Sequence, residues 1–504
     1  MLNNSTNNEH ADCPTKKVLD IFIVGGGIVG AGLARDAALR GLRTALVEQG
    51  DFASGTSSKS SRLLHGGIRY LAQGRIGLVR EASKEKTIIH RIAPHLSDPL
   101  AFIFPTHRRC GWYRWKLTIG VKLYDLLCGK RNLGRSCSLN VSKTLALLPG
   151  LSKQGLTGSI RYYDGLTNDA RLVLDTLRSA ETSGADINNY VRFVGATPEN
   201  GCWRCELIDL RTDTPFEVVT RCVVNATGPW SDKVKWSRTS LRLTKGVHLV
   251  IDRSRLPIPD AVVMAEKDRI LFAIPWGDRV ILGTTDTDYD GPIGSPTCDL
   301  EDVQYILDVV NESFPDASLI DEDVISTWAG LRPLVADKNG DPSDISRRHE
   351  ITMSHPGWWD VTGGKLTTFR LMAEETLNAI VRHLGISGSK CRTAEEPLLG
   401  NACADSVSGI VPPEVSLSTV QHYCRLEWVR HLEDVMIRRT SWRYYYPEHL
   451  EIAPQVAAWM GKELGWSDAE TEAELHRYFH ITDRRESAVP ASPSETKQDP
   501  SDLQ

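Results

Sequence analysis

The clearest pattern in the chain is a short apolar run that ends in a cluster of glycines. Residues 20–24 read DIFIV and continue into GGGIVG at 25–30, after which an alanine-rich apolar stretch follows. A second run, TALVE, ends at Glu48. This order of apolar run, glycine turn and small-residue stretch predicts a buried strand, a tight turn, a helix and a second strand.

Further along, the polar and apolar positions predict two more strands. One contains two cysteines, and the other leads into a turn of small residues. The stretch CWRCELIDL, which begins at Cys202, predicts an ordinary strand. A metal or redox role for Cys202 and Cys205 would need a second ligand pair or a thioredoxin-like setting, so we predict no metal site. The apolar run CVV leads into a small-residue turn at 225–228.

Neither a membrane span nor a signal peptide is predicted. The most apolar segment, IFIVGGGIVGAGLA, stops at Arg35, short of the roughly 18 apolar residues that cross a bilayer. The first 17 residues are polar. Residues 485–504 are polar and rich in Pro and Ser, which predicts a disordered tail.

Composition narrows the class of protein. A chain of 504 residues predicts two or three domains. Its formal net charge of −5 argues against a nucleic-acid-binding protein. Eleven cysteines without regular spacing indicate a reducing compartment, so we expect a cytoplasmic protein.

The glycine turn matches the dinucleotide-binding pattern G-x-G-x-x-G through Gly25, Gly27 and Gly30. The first glycine permits the turn, the second allows backbone amides to approach a pyrophosphate, and the third lets the helix pack on the strand. Glu48 ends the second strand, where a carboxylate can bind ribose hydroxyls. A glycine turn without a ligand is the alternative, and the surrounding strands and helix argue against it. This motif alone does not separate FAD from NAD.

A second small-residue turn favours the flavin. Ala226 and Gly228 lie in the turn that follows CVV. A strand that returns beside the first unit, with such a turn against the nucleotide, is typical of two-dinucleotide-binding flavoproteins.

From Gly50 the sequence resembles FAD-dependent, quinone-linked glycerol-3-phosphate dehydrogenases. The matching segments occur in the family's order between Asp20 and Thr376, and they include GDFASGTSSKSSRLLHGGIRYL, NATGPW, KGVHLV, AGLRPL and GGKLTTFR. The resemblance implies FAD as cofactor, held without a covalent bond. The residues that it places at FAD, beyond those above, are Thr56, Ser57, Ser58, His65, Gly66, Gly67, Asp360, Gly363, Gly364, Lys365 and Leu366.

The resemblance also implies the substrate site. Oxidation of a phosphorylated alcohol needs a proton acceptor and cationic groups that grip phosphate. Arg69, Arg332 and Lys365 would bind the phosphate and neighbouring oxygens, and Tyr70 would add a hydroxyl contact. His248 or Arg332 would lie nearest the reacting hydroxyl. If His248 is the base, flavin reduction is expected to speed up with pH through about 6.5. Alternatively, these arginines are solvated surface residues and His248 is an ordinary core residue. Only the motif context argues against this interpretation.

A basic aromatic segment at residues 108–135 indicates peripheral binding to an anionic membrane. Trp112, Trp115 and several aliphatic residues alternate there with Arg and Lys. An amphipathic core helix with a solvated basic face is the alternative. Because the family reduces membrane quinone, we expect peripheral association with the cytoplasmic membrane.

We therefore expect an α/β protein with a discontinuous, Rossmann-like FAD domain over residues 18–85, 150–240 and 345–385. Residues 86–149 and 241–344 would form an antiparallel substrate domain, and 400–484 a shortened helical C-terminal domain. The expected reaction converts sn-glycerol 3-phosphate to dihydroxyacetone phosphate. Reduction of oxygen instead of quinone, a flavin-binding protein without catalysis, and a homodimer all stay open.

Overall fold

A computed structural model describes residues 18–67, 76–108, 113–128, 133–266, 269–335, 349–387, 390–399 and 407–486. The predicted tail lies outside these ranges from residue 487 on. The strands are β1 (Leu19–Val24), β2 (Thr44–Glu48), β3 (Leu63–Leu64), β4 (Asp98–His107), β5 (Cys137–Leu139), β6 (Leu156–Leu166), β7 (Asp186–Asn189), β8 (Val191–Glu199), β9 (Cys202–Asp209), β10 (Thr214–Asn225), β11 (Leu241–Asp252), β12 (Ala261–Glu266), β13 (Arg269–Trp276), β14 (Arg279–Gly283), β15 (Thr287–Asp288), β16 (Val324–Val335), β17 (Glu350–His355) and β18 (Trp358–Thr362).

The helices surround these strands and fill the C-terminal region. They are α1 (Ile28–Leu39), α2 (Ile76–Ile92), α3 (Arg114–Cys128), α4 (Val141–Leu147), α5 (Asp169–Thr182), α6 (Leu300–Ser313), α7 (Phe369–His383), α8 (Leu417–Leu426), α9 (Trp442–Tyr445), α10 (His449–Leu464) and α11 (Asp468–Glu486). A π-helical turn spans Asp434–Arg439. None of the described helices is long and apolar enough to cross a bilayer.

Within the described ranges the first sheet has eight strands, and β1 lies near its centre. Its main path runs β17-β18-β10-β1-β2-β7, and β1 pairs in parallel with both β10 and β2. Ile21, Phe22 and Ile23 of β1 are fully buried, as expected for a strand covered on both faces. Helices α1, α5 and α7 pack in the core on one side through Leu33 and other apolar side chains.

The second sheet has ten strands in the described part of the chain and is mostly antiparallel. Its path runs β15-β11-β14-β13-β12-β4-β6-β3, with β16 on β11 and β5 on β6. Among its described strands, β12 and β4 alone pair in parallel. Together, the two sheets and the C-terminal helices confirm the predicted fold class.

Strand pairing divides the chain differently from the ranges expected from sequence. β3 and β6 fall within the ranges 18–85 and 150–240, which were expected to belong to the FAD domain. Both strands instead belong to the second sheet, where β6 pairs with β4 along ten positions and β3 pairs with β6. Pairing between segments distant in sequence sets this membership, and no local pattern reveals it.

The C-terminal helices share a core with the second sheet and attach to the first. Trp276 and Trp328 of the sheet pack with Tyr423 and Trp442 of the helical region. Buried Asp51, just after β2, accepts a hydrogen bond at 2.9 Å from Arg439 in the π-helical turn. Burial would raise the pKa of Asp51, but the charges of Arg439 and its neighbour outweigh burial and lower it to about 2. The helical region is thus attached to the first sheet beside the predicted nucleotide-binding site.

Candidate functional site

The turn after β1 has a backbone geometry that depends on glycine, as in a dinucleotide-binding turn. Gly25 has a φ of +113°, and a Cβ there would lie 2.6 Å from the carbonyl oxygen of Ala226. A Cβ on Gly30 would lie 1.9 Å from the carbonyl oxygen of Gly25. These two glycines therefore let β1, β10 and α1 approach more closely than any other residue would allow.

Glu48 and Ser57 complete the turn. The Glu48 carboxylate accepts hydrogen bonds from the amides of Gly26 at 2.8 Å and Gly50 at 2.9 Å. Burial raises the pKa of this carboxyl group. The Ile28 amide, in the first turn of α1, donates to Ser57 Oγ at 3.0 Å. Hydrogen bonds to Glu48 and Ser57 thus connect the residues that are predicted to bind ribose and phosphate.

Strands β10 and β18 end side by side at the second predicted turn. The Ala226 amide donates to the Val24 carbonyl at 2.9 Å, and Gly228 has a φ of +57°. The buried Asp360 carboxylate accepts from Asn225 Nδ2 at 2.8 Å and from the Arg238 amide at 3.3 Å. In this arrangement Asp360 holds the strand ends in place, and its predicted contact with FAD stays a prediction.

Two of the predicted flavin-binding segments, far apart in sequence, are in contact. The His65 amide donates to Thr367 Oγ1 at 3.1 Å, and the Thr367 hydroxyl donates back to the His65 carbonyl at 3.3 Å. Gly66 is tightly enclosed, since a Cβ there would lie 2.2 Å from the Tyr124 hydroxyl oxygen. Gly67, Gly363 and Gly364 all have positive φ, and Lys365 and Leu366 lead through a 3-10 turn into α7.

His248 and Arg332 lie on one face of the second sheet. In the antiparallel pair of β11 and β16, His248 is opposite Trp328, Gly246 is opposite Gly330, and Thr244 is opposite Arg332. Because side chains alternate along a strand, these positions share a face. A Cβ on Gly246 would lie 2.4 Å from Arg332 Nη2, so the guanidinium extends over this glycine toward His248.

His248 is buried among aromatic and cationic groups. Its ring stacks on Trp328 with centroids 5.2 Å apart, and its Nε2 lies 2.8 Å from Ser61 Oγ. Burial, followed by the charges of Arg332 and Arg62, lowers the pKa of His248 to about 3. The imidazole is therefore neutral near pH 7, and the ionisation expected near 6.5 moves to acid pH.

Arg332 combines fixed positioning with access to solvent. Its Nη2 donates to Thr284 Oγ1 at 3.0 Å, and its Nη1 pairs with Asp286 at 3.0 Å. The side chain is 29% exposed and is therefore accessible from solvent. Lys365 is half-buried, while Arg69 and Tyr70 lie outside the described residues.

The loop with the predicted flavin-binding hydroxyls lies directly against this face. Thr56 Oγ1 donates to the Leu331 carbonyl at 2.7 Å, and Ser58 is buried. A Cβ on Gly330 would lie 2.7 Å from the Lys59 carbonyl oxygen, so glycine is needed where the loop crosses β16. The loop therefore joins the nucleotide turn to the face that carries His248 and Arg332.

Sequence reasoning missed three groups around His248. Ser61 contacts the imidazole, Trp328 stacks on it, and Arg62 lies 4.2 Å above the Trp276 ring and 5.3 Å from Trp328. The run of hydroxyls in TSSKSS was a signal for Ser61, although it did not single that residue out. No sequence signal marked Arg62 as buried, because a lone arginine is usually solvated.

Comparison with known families gives the class of protein. A model of FAD-dependent oxidoreductases matches residues 20–376, and a model of the C-terminal domain of alpha-glycerophosphate oxidase matches residues 412–471. The glycine turns fit FAD, because glycine at 25 and 30 lets β1, β10 and α1 approach closely, as the turn that binds a dinucleotide pyrophosphate requires. Fold and site thus define an FAD-dependent oxidoreductase.

Relatives narrow this class further. An aerobic glycerol-3-phosphate dehydrogenase of Staphylococcus aureus is 42% identical over 390 residues, which cover 74% of this chain and 70% of the relative. One from Staphylococcus saprophyticus is 39% identical over 405 residues, covering 77% and 72%. The chain belongs to the family of aerobic glycerol-3-phosphate dehydrogenases, which confirms the family, the enzyme class and the cofactor FAD predicted from sequence.

Solved structures agree with this assignment. The glycerol-3-phosphate dehydrogenase from Bacillus halodurans, complexed with FAD, superimposes with a TM-score of 0.76 at 29% identity, covering 95% of this chain and 97% of that one. The L-alpha-glycerophosphate oxidase from Mycoplasma pneumoniae has a TM-score of 0.59 at 16% identity, covering 76% and 100%. The second likeness is one of fold.

Proposed function

We propose that this enzyme oxidises sn-glycerol 3-phosphate to dihydroxyacetone phosphate and passes the electrons to membrane quinone. When bound, FAD supplies N5 as the acceptor of the hydride from substrate C2. One observation carries the proposal most strongly. A neutral histidine and a partly exposed guanidinium share the sheet face against which the loop predicted to bind flavin packs.

Different residues bind the substrate and accept its proton. Arg332, together with Lys365 and Arg69, binds the phosphate and neighbouring oxygens, because a guanidinium can donate two parallel hydrogen bonds to phosphate. Tyr70 adds a hydroxyl contact. His248 accepts the proton of the C2 hydroxyl, and its lowered pKa keeps it in the neutral form that can accept one.

An exposed apolar face on α3 supports delivery of electrons at a membrane. Trp115 is 61% exposed, Ile119 62% and Leu126 75%, whereas Val121 and Tyr124 of the same helix are buried. The Lys116 ammonium lies 5.6 Å from the Trp115 ring centre. Large apolar side chains beside a cation suit the headgroup region of an anionic bilayer. The enzyme would then bind the membrane peripherally, where quinone resides.

Reduction of oxygen is the second candidate for the electron acceptor. The match of residues 412–471 to the C-terminal domain of an oxidase favours it. The oxidation of glycerol 3-phosphate at the sheet face would be the same in both cases.

One experiment tests both steps. Glycerol 3-phosphate is added without oxygen to the purified holoenzyme, and loss of flavin absorbance is followed in a stopped-flow instrument. Bleaching is the expected result, and its absence would contradict the proposed substrate. The reduced enzyme is then mixed with air-saturated buffer or with a soluble quinone. Faster reoxidation by quinone supports the dehydrogenase, and faster reoxidation by oxygen supports the oxidase.

A further inference from the structure

The proton acceptor of the proposed reaction is enclosed on most sides. His248 is 2% exposed, Trp328 covers one face of its ring, and a Cβ on Gly283 would lie 2.5 Å from its Cδ2. Its Nδ1 is buried and has no hydrogen-bond partner in the described part of the chain. Nε2 is therefore the ring nitrogen through which a proton can be exchanged.

Among the described residues, one hydroxyl lies at that nitrogen. Ser61 Oγ is 2.8 Å from His248 Nε2, and Ser61 is half-buried, whereas His248 is almost fully buried. A substrate approaching from the accessible side of this pair would meet the serine hydroxyl before the imidazole.

The position of this serine is fixed by its neighbours. The amide and the hydroxyl of Ser60 donate to buried Asp169 at 2.9 and 2.7 Å, and Trp328 Nε1 donates to the Ser60 carbonyl at 3.2 Å. The same tryptophan stacks on His248. Backbone and imidazole are thus tied together, so the distance between Ser61 and His248 is set by the fold rather than by a flexible loop.

We propose that Ser61 is a further catalytic residue, whose hydroxyl relays the proton of the substrate C2 hydroxyl to His248 Nε2. The proposal rests on the proposed function. The C2 hydroxyl proton bonds to Ser61 Oγ while the Ser61 proton bonds to Nε2, and the hydrogen on C2 leaves for FAD with its electron pair. The substrate loses two electrons to become the ketone, FAD gains them, and His248 ends protonated. The relay requires a bare Nε2, and hence the tautomer with its proton on Nδ1.

The relay differs from a purely orienting role of Ser61 in the number of protons that move together. Two protons in flight give a curved dependence of the flavin reduction rate on the fraction of heavy water, whereas one proton gives a straight line. This dependence is measured anaerobically at saturating glycerol 3-phosphate. We expect a curve for the unaltered holoenzyme, and a straight line would overturn the relay without any variant.

Variants of Ser61 supply the second test. Ser61→Ala should slow flavin reduction by about 10²-fold, the lower end of what general acid–base catalysis contributes, since water can partly replace the hydroxyl. Ser61→Thr keeps a hydroxyl and should recover most of the rate. Combining Ser61→Ala with His248→Asn should be no slower than His248→Asn alone, because both act in one proton path. A fully multiplicative loss in the double variant would overturn the relay.

Binding separates the relay from damage to the pocket. The probe is 3-hydroxypropyl phosphate, which lacks the C2 hydroxyl, and its dissociation constant is measured by calorimetry. Ser61→Ala should bind it as the unaltered holoenzyme does, whereas an affinity that falls as far as the rate would show a structural role and overturn the relay. If glycerol 3-phosphate bleaches the unaltered enzyme but Ser61→Ala is equally fast, the relay alone fails. If the unaltered enzyme is not bleached, the proposed function fails first.

Discussion

The predicted nucleotide-binding turn after β1 and the face shared by β11 and β16 position the predicted ligand-binding groups in different ways. At the turn, Gly25 and Gly30 bring backbone elements together, and Glu48 accepts a hydrogen bond from the amide of Gly26, 22 positions earlier. On the face, His248 and Arg332 are brought together by register between two distant strands, and Ser61 comes from a third segment.

This difference determines how each region should respond to substitution. The turn depends on the absence of side chains, so adding one methyl group blocks it sterically. The face depends on separate side chains, so each can be removed while the backbone stays in place. We therefore expect substitutions at the turn to abolish FAD binding altogether. Substitutions on the face should lower the rate of flavin reduction or the affinity for substrate by graded amounts.

Gly30→Ala should abolish FAD binding, which is the largest effect expected. Its Cβ would lie 1.9 Å from the Gly25 carbonyl oxygen, so α1 would have to move away from β1. The ratio of flavin to protein absorbance in the purified variant measures the loss. Gly77→Ala is the matched control, because it adds the same methyl group to α2 where nothing lies within 4 Å. Stoichiometric FAD in Gly30→Ala would contradict the role of this close approach.

His248→Asn should slow flavin reduction by roughly 10²–10⁴-fold while FAD stays bound, since this is the usual contribution of a general base. Asparagine keeps a polar side chain but does not take up a proton near neutral pH. Stopped-flow reduction without oxygen measures the effect. His476→Asn, at an exposed site on α11, should reduce at the normal rate. A loss of less than about threefold would assign the base to another group.

Arg332→Ala should weaken substrate binding by roughly tenfold to a hundredfold, as expected for a lost charge-assisted bond of about 1.5–3 kcal/mol. The substrate concentration that gives half-maximal flavin reduction measures this, and Lys365→Ala should behave alike. Arg242→Ala is the control, because Arg242 lies on β11 and pairs with Asp288 at the surface. Unchanged half-saturation in both test variants would exclude the phosphate clamp.

The first region was predictable from sequence in detail, and the second only in part. Local patterns placed β1, the turn and Glu48 at the end of β2, because the contacts of such a unit are short-range. The partners of His248 could not be predicted from sequence, since Ser61 lies 187 positions away and its contact with His248 depends on the tertiary fold. Buried charges such as Arg62 and Asp51 were also hidden, because charge by itself indicates solvent exposure.

Replacing both Trp115 and Ile119 with Ser should weaken binding to anionic vesicles by roughly tenfold, which even partial insertion of two large apolar side chains would account for. Sedimentation with vesicles that contain phosphatidylserine measures this, and added salt should weaken binding of the unaltered protein too. Replacing Leu300 and Ile320, which are similarly exposed elsewhere, is the control. Equal sedimentation of both double variants would show that α3 is not the membrane contact.

The smallest expected effect is that of pH on flavin reduction at saturating substrate. Burial and the charges of Arg332 and Arg62 lower the pKa of His248 to about 3, so the neutral form prevails above that value. Between about pH 5.5 and about pH 8 the base is already neutral, and the rate should vary by less than about twofold. It should fall only as the pH approaches 3. Stopped-flow reduction reports the bound complex and so avoids the effect of substrate ionisation on binding. A rise of about tenfold centred near pH 6.5 would instead mean that His248 ionises as in water.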